Sequence, residues 1–340
     1  MINFRMIGLN RNGGTKFQPG FFALVMSLGI LSISSLLNGF DLVSDILFYA
    51  GVMAFIAEAT LLLIWIVEGG SRKTCGTYEC RYGAFTISSG LSVLLTRLSM
   101  DVIEVSPLAL ATDFALLVFI VAVIRPGLLG KIRNSSRKVD SGLSNYSIAI
   151  LAYSIALLHS FPDGTNYSDL IAFGVVLAAI LSMLVFFRFQ RYLLRTYLSE
   201  HIKGIVADGS IFINMGFPAL SSIFIFQAMQ SLQGFLNNAS VSFLLLLALG
   251  LWIYSTVWYP FAMRLYLLAN RTHDFKVSKF AIIFPTGVYS TATYLISRAY
   301  FHGLQILSII ILISGIAVLL VILGELVSLH FVNHRKLAEP

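Results

Sequence analysis

The sequence predicts an all-α integral membrane protein with ten transmembrane helices. Hydrophobic residues make up 57% of the 340 residues and charged residues only 11%, whereas a soluble domain carries about 25% charged residues. The hydrophobic residues are gathered in runs of roughly 20, the length at which an α-helix crosses a bilayer. The strands of a membrane β-barrel would instead alternate in polarity over about ten residues, so helices are favoured.

Ten apolar runs follow one another along the chain, and each is predicted to be one span. They lie at 20–40, 43–67, 83–103, 106–124, 144–161, 168–188, 209–230, 239–263, 280–300 and 303–328. We expect residues 20–328 to form a single transmembrane domain between tails at 1–19 and 329–340. The basic residues before the first run would also suit a signal peptide, but Pro19-Gly20 at its start is unusual for one.

Positive charge alternates between the two sides of the predicted membrane. Of the 23 Lys and Arg residues, 21 fall in the two tails and in the loops after even-numbered spans. By the positive-inside rule, the spans form five outward-pointing hairpins and both termini are cytoplasmic. We therefore expect a multi-pass protein of the cell membrane. The net charge of +7 is explained by this topology, and nucleic-acid binding is not expected.

Several function classes lack the motifs that they need. No G-x-x-x-x-G-K-[ST] sequence is present, which argues against an ATP-driven pump. A membrane-embedded transferase would need an acidic or histidine-containing site to hold a metal or activate a nucleophile, and no such motif stands out. Cys75 and Cys80 have no second cysteine pair or nearby histidine to complete a zinc site. We expect no metal, no cofactor and no enzymatic activity.

The odd-numbered spans carry glycine, proline and hydroxyl residues that the even-numbered spans mostly lack. The candidates for kinking or lining a path are Pro19, Gly20, Gly29, Gly90, Gly216, Pro218, Pro285 and Gly287. A proline inside a helix frees backbone groups, which lipid does not satisfy. We therefore predict an inner ring of odd helices around a water-filled path, with the even helices outside. Close packing by small residues is the alternative at any single position, and span 5 has neither glycine nor proline.

Two cations lie near the outer ends of odd spans. Arg97 in span 3 and Arg298 in span 9 are candidates for attracting anions, since a buried cation usually faces a cavity. The alternative for Arg97 is an ion pair with Asp101, four residues later. The alternative for Arg298 is extension of its side chain to the membrane interface.

Titratable residues inside the spans are candidates for proton coupling. Glu58 in span 2 and Asp113 in span 4 could bind protons during transport, or could form structural pairs. Structural pairing is preferred because both lie on even spans, and the same holds for Glu325 in span 10. His159, at the outer end of span 5, is interpreted as an interface residue rather than a proton switch.

Three segments resemble the tellurite-resistance/dicarboxylate transporter family. They are Pro19-Gly20-Phe21-Phe22-Ala23-Leu24-Val25-Met26 with Gly29 and Ser32, Phe85-Thr86 with Thr96-Arg97-Leu98, and Phe284-Pro285-Thr286-Gly287-Val288-Tyr289 with Ala292-Thr293. They are similar to the first, third and ninth helices of that family. Its members include TehA-like bacterial tellurite-resistance channels, plant slow-type guard-cell anion channels, fungal malate permeases and sulfite exporters.

The resemblance implies a fold, a gate and an assembly. The fold would be five helical hairpins in a quasi-fivefold ring around a central pore, and the assembly a homotrimer. A phenylalanine of the ninth helix would close the pore, because an aromatic ring in an apolar constriction excludes water. By motif position this residue is Phe284, with Phe280 as a weaker candidate.

The predicted function is the transport of small anions across the membrane. The candidates are monovalent inorganic anions and C4-dicarboxylates such as malate, with tellurite and sulfite as further candidates. The main alternative is a proton-coupled organic-acid carrier, which would depend on Glu58, Asp113 or His159. A membrane-embedded transferase is the remote alternative.

Overall fold

Ten α-helices form the described part of the chain, one for each predicted span. A computed structural model describes residues 19–67, 83–101, 105–132, 143–160, 168–199, 212–232, 234–269 and 279–338. The helices are α1 (Ala23–Leu37, preceded by a 3₁₀ turn at Pro19–Phe22), α2 (Asp41–Val67), α3 (Phe85–Met100), α4 (Pro107–Ile132), α5 (Leu143–Ser160), α6 (Ser168–Ser199), α7 (Ile213–Ser231), α8 (Asn238–Ala269), α9 (Phe280–Ala299) and α10 (Leu304–Ala338). These residues contain no strand. The predicted all-α class and helix number are confirmed.

Four of the five even helices of the described chain run further than their apolar segments, and α2 ends with its segment at Val67. Helices α4, α6, α8 and α10 end at Ile132, Ser199, Ala269 and Ala338, between about 6 and 11 residues beyond the predicted spans. The added residues include Arg, Lys and Leu, which are good helix formers. Hydrophobicity therefore predicts the length that crosses the lipid, whereas the helix itself continues into the basic segments.

Among the described residues, five helices are long and apolar enough to cross a membrane by themselves. They are α2, α8, α9, α10 and α1 together with part of its 3₁₀ turn. Shorter apolar stretches occur in α4 at Pro107–Ala122 and in α6 at Phe173–Arg188. Helices α3, α5 and α7 belong to neither group. All three are odd-numbered and bury serine or threonine side chains, which lowers their hydropathy.

The odd helices are buried and the even helices are exposed. In the most apolar stretch of each helix, 67% of the residues of α1 and 83% of those of α9 are buried. The corresponding fractions are only 17% in α2, 11% in α8 and 33% in α10. Within the described residues, every exposed large hydrophobic side chain lies on an even helix or in the loop that precedes one. Such apolar faces suit contact with lipid chains.

The odd helices pack against one another in a closed order. Helix α1 contacts α3, α3 contacts α5, α5 contacts α7, α7 contacts α9, and α9 contacts α1. Each odd helix also contacts the even helix that follows it. Consecutive elements of a chain commonly pack as neighbours, and here they do so as five antiparallel pairs.

Glycines of the odd helices lie where two odd helices approach closely. A Cβ added to Gly216 of α7 would lie 2.7 Å from Cβ of Pro285 on α9, which is too close for two carbon atoms. Gly29, Gly90 and Gly287 likewise face a side chain of the adjacent odd helix, at 2.8, 3.2 and 2.7 Å. These four positions therefore serve close helix packing.

Helix α5 makes equivalent contacts without glycine. Its buried small residues are Ala149, Ala152 and Ala156. Alanine is small enough to let neighbouring helix backbones approach, as glycine does. This explains how span 5 lacks the glycine and proline pattern and still packs between α3 and α7.

Prolines are not confined to the odd helices. Pro218 and Pro285 lie inside α7 and α9, where the sequence placed them. Pro260 lies inside α8 and is exposed, so an even helix also contains one. Pro19 begins the 3₁₀ turn before α1, with Gly20 as its second residue, and neither interrupts an α-helix.

Candidate functional site

A cavity lies between the five odd helices. Its lining consists of Ile30, Ile33, Leu37, Val93, Thr96, Met100, Ala152, Ile155, His159, Leu220, Ile223, Gln227, Thr291 and Leu295. The empty space between these atoms is about 540 Å³, part of it open to the outside. On each odd helix the lining residues recur every three or four positions, so each helix presents one face. They lie between the middle of the helix and its C-terminal end.

The hydroxyl groups of the cavity are turned toward their own helices. Thr96 donates its hydroxyl hydrogen to the Ser92 carbonyl oxygen at 2.9 Å, and Thr291 donates to the Gly287 carbonyl oxygen at 3.1 Å. Such i−4 bonds satisfy a hydroxyl within a helix. These two threonines therefore offer lone pairs rather than hydrogens to the cavity.

The other two polar side chains of the lining bond to each other. His159 of α5 and Gln227 of α7 meet with Nδ1 and Oε1 3.0 Å apart. The two residues are 68 positions apart in the chain. Sequence reasoning treated His159 as an interface residue and did not single out Gln227. No local pattern joins them, because the pairing depends on the packing of α5 against α7.

Phe284 lies on the cavity-lining face of α9. It precedes Thr291 by seven residues, which is two helical turns or about 10 Å along the axis. It is buried in the same hydrophobic cluster as cavity residues Ile155 and Leu220. Phe280 is equally buried but belongs to a different cluster, which includes Leu312 of α10. The two phenylalanines are therefore in different environments, and neither is a lining residue of the cavity.

Arg97 is fully buried between α1, α2 and α3. Its Nε donates to Oγ of Ser32 at 3.0 Å and of Ser44 at 2.9 Å, and Nη2 pairs with Oδ1 of Asp45 at 2.9 Å. Nη1 forms an ion pair with Asp101, four residues later. This ion pair is the alternative to an anion-attracting role that the sequence analysis gave for Arg97. Arg97 is not a lining residue of the cavity. Because two carboxylates balance its charge, it contributes little to an anion-attracting field.

Arg298 is exposed at the C-terminal end of α9. It forms no ion pair with the residues that the structure describes, and it does not line the cavity. Its position suits extension to the membrane interface.

Asp113 joins α4 to α3. Its Oδ1 accepts a hydrogen bond from Oγ of Ser88 at 2.7 Å, and its Oδ2 accepts one from Oγ of Ser92 at 2.6 Å. The carboxylate is fully buried and both of its oxygens are used. These contacts with two serines tie α4 to α3, and Asp113 forms no ion pair with the residues that the structure describes.

The other two acids of the even helices differ from each other. Glu325 of α10 pairs with Nζ of Lys279 at 2.6 Å, which ties the start of α9 to α10. Glu58 of α2 is 8% exposed, and its Oε2 has no hydrogen-bond partner among the described residues. Neither acid lines the cavity. Cys75 and Cys80 lie outside the described residues.

The ten helices, with apolar even helices outside and a cavity between the odd helices, define a multi-pass membrane protein. The chain belongs to the voltage-dependent anion channel family, whose sequence model matches residues 16–327. This stretch begins before α1 and ends within α10, which runs from Leu304 to Ala338. A search of the curated proteins finds no match. The family resemblance is confirmed, and membership indicates anion channel or transporter activity.

Proposed function

We propose that the protein conducts small monovalent anions along the axis of the odd helices. The observation that supports this most strongly is the cavity, to which all five odd helices contribute. Ten of its fourteen lining side chains are apolar, so a permeating ion must lose much of its hydration. Monovalent anions lose hydration at lower cost than malate, tellurite or sulfite in their doubly charged forms. The doubly charged anions are therefore the second choice.

Phe284 is the proposed gate of this path. Its position two turns from Thr291 on the same face of α9, within the apolar cluster that continues the cavity, supports the assignment. An aromatic ring at an apolar constriction excludes water. An ion does not pass such a segment, because nothing there replaces the water that hydrates it. Movement of the ring would open the path.

Truncating Phe284 tests the gate. We expect Phe284→Ala to raise the anion conductance of the protein in liposomes by about tenfold or more, equivalent to lowering the barrier by about 1.4 kcal/mol. Anion selectivity should change little, because the rest of the lining is intact. The measurement is the current in planar bilayers, with chloride replaced in turn by nitrate and by gluconate.

Phe280→Ala is the matched control for this experiment. It removes the same ring one turn earlier in the same helix, from a cluster that does not contain the cavity residues. Its currents should stay near those of the wild type. Equal currents in wild type and a folded Phe284→Ala protein would remove Phe284 from the mechanism.

A proton-coupled carrier is the second candidate function, and Glu58 is the residue that favours it. One oxygen of the buried Glu58 carboxyl group has no hydrogen-bond partner among the described residues, so this group is available to take up a proton. Asp113 is not available in the same way, because both of its oxygens already accept hydrogen bonds. If the protein is a carrier, an imposed pH gradient alone should drive organic-acid uptake into liposomes. Glu58→Gln should abolish this uptake, and Asp113→Asn should leave it coupled. If the protein is a channel, as we propose, an imposed pH gradient alone should drive no organic-acid uptake in either variant.

We further propose that residues 20–328 form one transmembrane domain in the cell membrane, with both termini cytoplasmic. The alternation of basic residues supports this orientation. The homotrimer implied by the family resemblance is also a proposal. Tags at each terminus that are protected from protease in intact cells would support the orientation, and a trimer mass in mild detergent would support the assembly. A monomer under those conditions would contradict the assembly.

A further inference from the structure

The cavity contains few groups that can stabilise an anion. An anion that leaves water needs N–H or O–H donors in return. The hydroxyls of Thr96 and Thr291 already donate to their own helices, and the apolar lining residues offer none. His159 and Gln227 are the remaining polar side chains of the lining.

The geometry of this pair defines which hydrogens are free. A carboxamide oxygen accepts hydrogen bonds and cannot donate, so the 3.0 Å contact with Gln227 Oε1 requires a hydrogen on His159 Nδ1. The amide nitrogen of Gln227 keeps both of its hydrogens, since the described residues give it no acceptor. Nε2 of His159 is an acceptor when the ring is neutral and a donor when the ring is charged.

We propose that Gln227 and His159 form an anion-binding subsite in the cavity, which takes a monovalent anion such as chloride together with a proton on His159. The amide of Gln227 donates to the anion, and the charged ring adds a second donor and a favourable charge. The bond between Nδ1 and Oε1 holds both side chains in place across the α5–α7 interface. This inference rests on the proposed function and gives it a binding site.

The described charged groups on the helices packed against α5 are either engaged in other contacts or lie far from His159. On α3, Arg97 pairs with Asp101, and on α4, Asp113 accepts from two serines. The described side chains of α7 include no charged residue, and those of α6 include only the exposed Arg188 and Arg191, which lie at least 20 residues, or about 30 Å along the helix, beyond the start of α6 that follows His159. Among the described residues, the pH dependence of the subsite therefore belongs to His159. Because the anion favours the protonated ring, its affinity should rise as the external pH falls.

The first test measures the concentration of external chloride that gives half-maximal current. Gln227→Glu removes the two donors and adds a negative charge, so we expect this concentration to rise by about tenfold or more, the effect of losing a charge-assisted hydrogen bond. Gln227→Leu should act in the same direction. Gln305→Glu is the matched control, because Gln305 is exposed at the start of α10 and does not line the cavity.

The second test varies external pH. In the wild type, the half-saturating chloride concentration should fall between pH 7.5 and 5.5, and His159→Gln should remove that dependence. The control His302→Gln changes an exposed histidine outside the cavity and should retain it. Size-exclusion chromatography identifies variants that remain folded.

The outcomes separate the subsite from the proposed function. Anion-selective current with an unchanged half-saturating concentration in folded Gln227→Glu and Gln227→Leu overturns the subsite and leaves anion conduction standing. A pH dependence that survives in His159→Gln overturns the role of the proton. A wild-type protein without anion-selective current overturns the proposed function and the subsite together.

Discussion

Arg97 is the centre of a polar contact that joins the C-terminal part of α3 to α1 and the start of α2. Its guanidinium group donates hydrogen bonds to Ser32, Ser44 and Asp45 and forms an ion pair with Asp101, although its Nη1 makes no hydrogen bond within the described residues. A buried cation is tolerated when its charge and its donors are both satisfied. The planar guanidinium group donates to several partners at once in a fixed geometry. A lysine ammonium group donates from a single nitrogen atom, so it would place its hydrogens differently.

At the residue scale, loss of Arg97 should destabilise the protein. We expect Arg97→Gln to lower the free energy of unfolding by about 1–3 kcal/mol, the cost of losing hydrogen bonds to charged groups. The loss should appear as a lower temperature of thermal denaturation in detergent. Arg298→Gln removes an exposed arginine from the end of α9 and should change stability by less than about 0.5 kcal/mol. Equal stability of both variants and the wild type would contradict a structural role for Arg97.

Some of these residue contacts were predictable from the sequence and others were not. The spacing of Arg97 and Asp101 predicts a local helical pair, and that pair is present. The partner Asp45 lies 52 residues earlier, and the His159–Gln227 pair spans 68 residues. Such contacts depend on which helices become neighbours, and periodicity within one helix does not specify that.

At the element scale, hydroxyl residues join helices more often than they line the cavity. Oγ of Ser34 on α1 lies 2.7 Å from Oγ of Ser290 on α9, and Ser290 donates to the Ser308 carbonyl of α10 at 2.8 Å. Hydrogen bonds between helices are a common means of association in lipid. The sequence marked the odd helices as polar, but the pattern did not distinguish a hydroxyl that lines a path from one that packs against a neighbour.

Gly216 tests the close contact between α7 and α9. We expect Gly216→Ala to lower stability by about 1–3 kcal/mol, because the new Cβ would lie 3.0 Å from Cα of Pro285 and the backbone must shift. Phe284 immediately precedes Pro285 in α9, so we expect the proposed gate to be disturbed as well and the basal current to change. The measurements are thermal denaturation and current in the same preparation.

Gly250→Ala is the control for this contact. Gly250 lies in α8, and an added Cβ would meet nothing within 4 Å. Alanine is the better helix former by about 1 kcal/mol, so this variant should be as stable as the wild type or more so. A Gly216→Ala protein that matched Gly250→Ala in stability would show that the α7–α9 contact tolerates a larger residue.

At the scale of the whole molecule, hydropathy predicted the number of helices, while the direction that the charge pattern predicts for them stays a prediction. Each apolar run corresponds to one helix of the structure, because a run of that length has no other stable conformation in lipid. The inner position of the odd helices was suggested by recurring glycine and proline, whereas the order in which they contact one another was not, and span 5 was the exception to the pattern. Its alanines serve the same packing, and alanine is too common in apolar helices to have been informative.

The central claim is that an aqueous path runs between the odd helices and that the even helices face lipid. The experiment uses a background in which Cys75→Ser and Cys80→Ser remove the native cysteines. Single cysteines are placed at Thr291 and Leu295, which line the cavity. Further single cysteines are placed at Phe243 and Leu246 of α8, which are 66% and 63% exposed on the outer surface. A negatively charged, water-soluble thiol reagent is then applied from outside while current is recorded. The account predicts modification and a change of current at Thr291 and Leu295, with no reaction at Phe243 or Leu246. Reaction at the α8 positions, with α9 positions unreactive in a folded and conducting protein, would contradict it.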